Sequence, residues 1–484
     1  MTNTPINRAT PSPTAVARPR RTRRRTTLAA SLLGISLLAT ACNPAAQPDP
    51  GTPGGGGGGE QGVDFAAAPT GALAISGYNP SDEVAEARSD HAEAQLADVD
   101  ITLDTTSFDT QKFAAQAAAG DVPDLIRADR NLVATLADQE LVQPIDECFA
   151  AHQVAPREYF YAPTVDDVTY DGAVYGVPEF FQPAALLVNT RVLEEAGLTL
   201  EDVDSSDPQA MVELGEQITE LDGDNPTRLG FDADIPGSAA NWMVLRGGKV
   251  QEADGRPALD SPENVETLTW MKELMDAQGG YPAIKSFKDS QDVFGNENPY
   301  SADEIGVGTW AQWYVNVLSD YEDDIEIAAV PLSDASGQPV AIAGGSAFAI
   351  PSGAENPAAA CAWAVEVTSQ EAWMAAGEAR AAAVEEEGAI NTGLFTGSPV
   401  ADQAVREAFV GDSGSEQFDQ VIDTYYEILS NPRTRGGSAV GEQIGNDLEN
   451  AVIVTLSDES TPQEALAEAQ ASSMRAWEQS RAGS

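Results

Sequence analysis

Residues 71–126 read GALAISGYNPSDEVAEARSDHAEAQLADVDITLDTTSFDTQKFAAQAAAGDVPDLI. Three short apolar runs, Leu73–Ser76, Ile101–Leu103 and Asp124–Ile126, have the length of strands. Helix-like stretches at Asp82–Ala97 and Thr110–Ala119 separate them. Strand–helix–strand repetition predicts parallel strands joined by crossover helices, hence an α/β protein with covered sheets. The alternation continues, with strands expected at Ala185–Val188, Glu304–Val307, Ile325–Val330 and Ala347–Ile350. Helices are expected at Val265–Gln278, Ala358–Thr368 and Pro462–Ser480. The helix at 358 is well punctuated, with Asn356 as N-cap and Pro357 at its first position.

A chain of 484 residues has material for two or three domains. Its 42% hydrophobic and 21% charged residues are those of a globular protein and exclude wholesale disorder. With 26 basic against 77 acidic side chains the net charge is -51, which excludes nucleic acid and anionic lipid surfaces as partners. Only two histidines, His91 and His152, are present, so a multi-histidine metal site is excluded, and no cofactor is expected.

The amino terminus reads as an address. Residues 1–27 carry seven arginines and no acid, and Leu28–Ala41 is a weakly apolar run followed by Cys42. This is a basic region, a short apolar region and a small-residue cleavage site, too short for a membrane-spanning helix. The end of the run resembles a bacterial lipobox, with Ala39 where leucine is usual. The resemblance implies cleavage before Cys42 and lipidation of its thiol; ordinary cleavage near Ala41 is the alternative. Losing residues 1–41 removes seven arginines and no acid, leaving 19 basic and 77 acidic groups, a charge of -58. Residues 42–70, rich in proline and with the run Gly54–Gly59, read as a flexible tether.

Further along, Tyr175-Gly176-Val177-Pro178, Leu186-Leu187-Val188-Asn189 and Ala196-Gly197-Leu198 resemble the signature of family 1 extracellular solute-binding proteins. Gly120-Asp121-Val122-Pro123-Asp124-Leu125, Arg246-Gly247-Gly248, Gly344-Gly345-Ser346 and Thr461-Pro462-Gln463-Glu464-Ala465-Leu466 are similar to stretches of that family in the same order. The resemblance spans roughly residues 71–480. It implies a two-lobe periplasmic-binding-protein-like fold with hinge crossings and a ligand cleft between the lobes. Lobe one would comprise 71–180 and 345–398, and lobe two 184–341 and 400–484. The implied role is capture of a sugar or oligosaccharide and delivery to the membrane permease subunits of an ABC importer, by a monomer without enzymatic activity. The membrane would be reached only through the lipid anchor.

A sugar site needs aromatic faces for C–H patches and planar polar groups for hydroxyls, placed beyond the carboxyl ends of strands. Trp310 is expected to follow the strand Ile305–Gly308 and to begin a helix Trp310–Leu318, where the family often has an aromatic. Trp313, Tyr314 and Val317 then read as a core stripe at helical spacing. Trp242 precedes Gly247-Gly248 as a ligand-contacting tryptophan does in maltose-type members; a core position is its alternative. Gln182 stands at the hinge where those members have an acidic residue. Asp129-Arg130 resembles their hydroxyl-gripping Asp-Arg pair, two residues early, and could equally be a solvated surface pair. Tyr78-Asn79, after the first strand, and Gly344-Gly345, at the second crossing, are placed by position alone.

Other readings are weaker. Gly411-Asp412-Ser413-Gly414-Ser415 has the look of a serine-protease loop without the fold to support it. Asp222-Gly223-Asp224-Asn225 lacks a full calcium loop and reads as a turn. Within the binding class the rival ligand is a polyamine or peptide, since acidic lobes attract cations. Outside it stands an extracellular lipoprotein enzyme acting on glycans, which would need paired carboxylates at strand ends. Cys148 and Cys361, the pair left beside Cys42, either bridge two segments of lobe one in an oxidising compartment or remain small core residues.

Overall fold

The computed structural model describes residues 63–483. Cys42, the leader and most of the expected tether lie outside the described residues. The end of that expected tether is not free chain: Phe65 is buried in the same apolar cluster as Leu73 and Ile75. A single aromatic anchored there buries too much apolar surface to stay in solvent.

The opening alternation builds the first sheet. Gly71–Ser76 pairs in parallel with both Val99–Asp104 and Leu125–Asp129. Helices Glu83–Gln95 and Thr110–Ala119 make the crossovers. Asp82 and Asp109 cap them by accepting the backbone N–H of Ala85 and Lys112, both at 2.7 Å, and Gly120 ends the second in the left-handed region. Ser346–Ala349 and Val177–Pro178 complete the sheet, giving the order Val99–Asp104, Gly71–Ser76, Leu125–Asp129, Ser346–Ala349, Val177–Pro178.

The second sheet is centred on Gln182–Asn189, whose apolar run is buried on both faces. Ile305–Ala311, Ile327–Val330 and Ala341–Gly344 all pair antiparallel with it, and Asn225–Asp232 runs parallel to Ile305–Ala311. Glu220–Asp222 forms a hairpin with Asn225–Asp232, so Asp222-Gly223-Asp224-Asn225 is its turn. Expected strands and helices thus lie close to the observed ones, with one consequential shift. The strand ends at Ala311 and the helix starts at Trp313, so Trp310 is a strand residue rather than the first of a helix.

The chain passes between the sheets where Pro178 ends one strand and Gln182 begins another, and again where Gly344 ends one and Ser346 begins the next. Gly345 alone makes the second passage. A Cβ there would overlap the Arg130 guanidinium and the Phe180 carbonyl, so the close approach requires glycine. A third passage, at Thr396–Ser398, is tied to the first: Phe181 N–H donates to the Thr396 carbonyl at 3.2 Å and Gly397 N–H to that of Glu179 at 2.8 Å. The helix Pro399–Phe409 packs on Gln370–Glu387, with Val84, Trp373, Ala401 and Val405 in one cluster. Cys148 and Cys361 are joined by a disulfide with Cα atoms 5.8 Å apart.

Candidate ligand-binding site

Carboxyl ends of strands from both sheets converge on these passages: Ser76, Asp129 and Pro178 from the first, Asp232, Ala311 and Gly344 from the second. Open α/β sheets bind ligands at such ends. The hinge beneath is an ionic knot that the sequence gave no sign of. Glu179, in the first passage and 1% exposed, accepts from Arg88 Nη1 at 3.0 Å, from Arg127 Nε and from Ser346 Oγ at 2.7 Å. Burial pushes its carboxyl pKa up, but Arg127 and then Arg88 outweigh burial and hold it below the ordinary value. The Arg88 guanidinium lies 3.8 Å from the ring centroid of Trp373.

Above the knot a cavity of about 170 Å³ opens between the sheets. Asp129, Arg130 and Asp167 come from the first-sheet side, Gly344-Gly345 form the passage, and Thr434 and Arg435 come from the loop after strand Pro432–Arg433. Arg130 is present but is not free to grip a ligand. Its Nε donates to Asp167 Oδ2 at 3.2 Å, its Nη1 to the Phe180 carbonyl and its Nη2 to that of Ala343 at 3.3 Å. It is a buried strut beneath two passages, because the carbonyls that change sheets there need donors. Asp129 is exposed, and although it precedes the helix Arg130–Asp138 it makes no capping hydrogen bond. Thr434 Oγ1 donates across the cavity to Asp167 Oδ1 at 2.7 Å.

A second cavity of about 270 Å³ lies between the amino terminus of Glu83–Gln95, the helix Gln370–Glu387 and the segment Asn316–Asp320. Here Arg380 is ion-paired with Glu83 and its Nη1 donates to Asn316 Oδ1 at 2.6 Å. Trp313 begins the helix Trp313–Leu318 that also carries Asn316. It is 38% exposed and stacks on Phe294, 65% exposed, with centroids 6.0 Å apart.

The tryptophans therefore divide differently from the sequence expectation. Trp313, expected in the core, offers an open ring face. Trp310 is half-buried and stacked on Tyr314 at 3.9 Å. Tyr314 is buried as expected, together with Val315 and Leu318, while Val317 is half-buried. Trp242 is a core residue: it is buried against Phe231 and Trp270, and its Nε1–H is satisfied by the Ala233 carbonyl at 2.8 Å. Tyr78 is likewise internal, packed on Phe348 and Trp363 with its hydroxyl donating to the Ala85 carbonyl at 2.8 Å. Asn79 beside it is exposed. Gln182 is half-buried and paired with Gly344 across the strands, next to the cavity that Asp129 lines.

A sequence model of the family described as bacterial extracellular solute-binding protein matches residues 88–383, more than half of the chain. The chain is a bacterial extracellular solute-binding protein. Membership places it outside the cytoplasm, and among the described residues no helix is long and apolar enough to cross a membrane. One relative of this solute-binding protein is the arabinooligosaccharide-binding protein of Halalkalibacterium halodurans, 29% identical over 105 residues, 22% of this chain and 23% of the relative. The match thus spans about a quarter of that relative's length. Solved structures share the fold. CpMnBP1 with mannobiose bound superposes with a TM-score of 0.66 at 18% identity, covering 84% of this chain and all of the other. The GacH receptor of Streptomyces glaucescens, solved unliganded and with acarbose, gives 0.62 at 18% identity over 84% and 99%.

Proposed function

We propose that this solute-binding protein captures a sugar or oligosaccharide between its lobes and delivers it to the permease subunits of an ABC importer. The observation that carries this reading is the cavity between the sheets, lined by polar groups at strand ends and at the passages; the exposed, stacked Trp313 and Phe294 supply an aromatic surface elsewhere on the molecule. Planar polar groups suit hydroxyls, and an exposed ring face suits the C–H side of a pyranose or furanose. The ligands named for similar proteins, an arabinooligosaccharide, mannobiose and acarbose, point the same way.

In this reading lobe one carries the first sheet together with the helices Gln370–Glu387 and Pro399–Phe409, and lobe two carries the second sheet with the helices from Glu416 onward. Asp129, Gln182, Trp313 and the backbone of Gly344-Gly345 face the ligand, and Trp310 backs Trp313. The protein works as a monomer held to the outer face of the membrane by lipidated Cys42, and it turns over no substrate. The test is titration of tryptophan fluorescence with arabinotriose, mannobiose, maltotriose, spermidine and a short peptide, followed by chromatography of each mixture. A saturable change with an intact neutral sugar supports the reading. Response to spermidine or peptide alone, or appearance of cleavage products, overturns it.

A further inference from the structure

The cavity above the hinge contains two charged groups that the protein itself leaves unused. Asp129, at the carboxyl end of a first-sheet strand, stands where an N-cap residue usually accepts a backbone N–H, yet it caps nothing. Among the described residues its side chain makes no hydrogen bond or ion pair. Arg435 enters the same cavity from the other side, on the loop after Pro432–Arg433, and among the described residues it too has no hydrogen-bond or ion-pair partner. It remains solvent-exposed although walls on several sides partly desolvate it; that desolvation lowers its pKa, and Asp167 and then Asp129 pull in the opposite direction. The two groups thus sense each other's charge but do not close to ion-pair distance. Arg130 and Asp167 are already spent on each other, on the hinge carbonyls and on Thr434. What remains open to a ligand is one acceptor and one five-donor fork, of opposite charge, on facing walls.

We infer that Asp129 and Arg435 form a clamp divided between the two walls of the cleft, which selects electrically neutral polyhydroxyl ligands over uronates and amines. This deepens the carbohydrate reading and rests on it. A hydroxyl is both donor and acceptor, so one ring edge can donate to Asp129 while accepting from Arg435. A carboxylate satisfies Arg435 but is repelled by Asp129, and an ammonium does the reverse. Since the rest of the chain is strongly acidic, Arg435 offsets locally the repulsion that Asp129 and Asp167 would otherwise add to any electron-rich ligand. The pair that grips hydroxyls is therefore assembled from both halves of the fold, and Arg130 serves as scaffold rather than contact.

The test uses the exported protein, Arg435→Gln, Asp129→Asn and Arg130→Gln, each titrated with arabinotriose, mannobiose, maltotriose, digalacturonate and spermidine. Thermal midpoints are measured alongside. For the neutral sugar that the parent binds, Arg435→Gln and Asp129→Asn should each weaken affinity at least tenfold with the midpoint unchanged, as expected for losing a charge-assisted hydrogen bond. Asp129→Asn should also gain measurable binding of digalacturonate. Arg130→Gln should instead lower the midpoint. Parent-like affinity for the neutral sugar in Arg435→Gln overturns the clamp and leaves the carbohydrate reading intact. A parent protein that binds none of the three neutral sugars, or prefers digalacturonate or spermidine, overturns both.

Discussion

Replacing Asp402 with asparagine should make the protein's stability less sensitive to pH as it rises toward neutrality, by an amount the structure sets. Asp402 lies in the first turn of the helix Pro399–Phe409, buried, and among the described residues no cation pairs with it. It accepts the backbone N–H of Thr396 at 2.6 Å and the hydroxyl of Tyr161 at 2.7 Å, so it pins the third passage to the segment before the helix Ala162–Asp167. Burial dominates its titration and raises its pKa from 3.8 to about 7, against the pull of hydrogen bonds from Thr396 and Tyr161. For an acid with a raised folded-state pKa, the fold favours the neutral form. Its stabilising contribution is complete below the unfolded value and is lost as pH rises toward the folded value. Over about three units at roughly 1.4 kcal/mol each, the loss is about 4 kcal/mol. Asparagine never ionises and escapes it. The assay is urea unfolding of both proteins from pH 5 to pH 9 in salt, since the sequence isoelectric point of about 4.1 invites precipitation lower down. The variant should gain about 1.4 kcal/mol on the parent per pH unit up to about 7 and nothing beyond. A difference that stays constant across the range would refute a buried neutral carboxyl at this hinge.

Trp313→Ala should weaken sugar binding by about 1 kcal/mol, for roughly 40 Å² of ring face no longer covered, with little change in unfolding. Trp242→Ala should cost about 3–5 kcal/mol of stability and leave affinity alone; calorimetry and melting read the two apart, and the reverse pattern would put the site elsewhere. Glu179→Gln strands Arg88 in the interior and should destabilise by about 3–5 kcal/mol, seen as a fall in urea midpoint; an unchanged midpoint would mean the knot is idle. Thiol counting on denatured, unreduced protein lacking Cys42 should find no free thiol at Cys148 or Cys361, and Cys361→Ala should cost about 2–4 kcal/mol.

The sequence alone determined the architecture and the family. Apolar runs of strand length between capped helices gave parallel pairing for the three strands within 71–129, while most strands of the second sheet pair antiparallel, which the alternation did not show; residues such as Asp109 and Gly120 mark helix ends through local geometry. The passages were legible too, since Tyr175–Pro178 and Gly344–Ser346 each match a stretch of the family signature in the expected order. What periodicity cannot say is which buried group meets which, because that depends on how element ends abut. Tyr78, Trp242 and Arg130 have residue types that suit a sugar, yet tertiary packing consumed all three inside the protein. Trp313, two residues past the strand that ends at Ala311, is exposed, which helical periodicity did not show. Cys148 and Cys361 could be counted from the sequence, but only folding brought their α-carbons to 5.8 Å. Asp129 and Arg435 lie hundreds of residues apart in the chain, and only the tertiary structure brings both to the lining of one cavity.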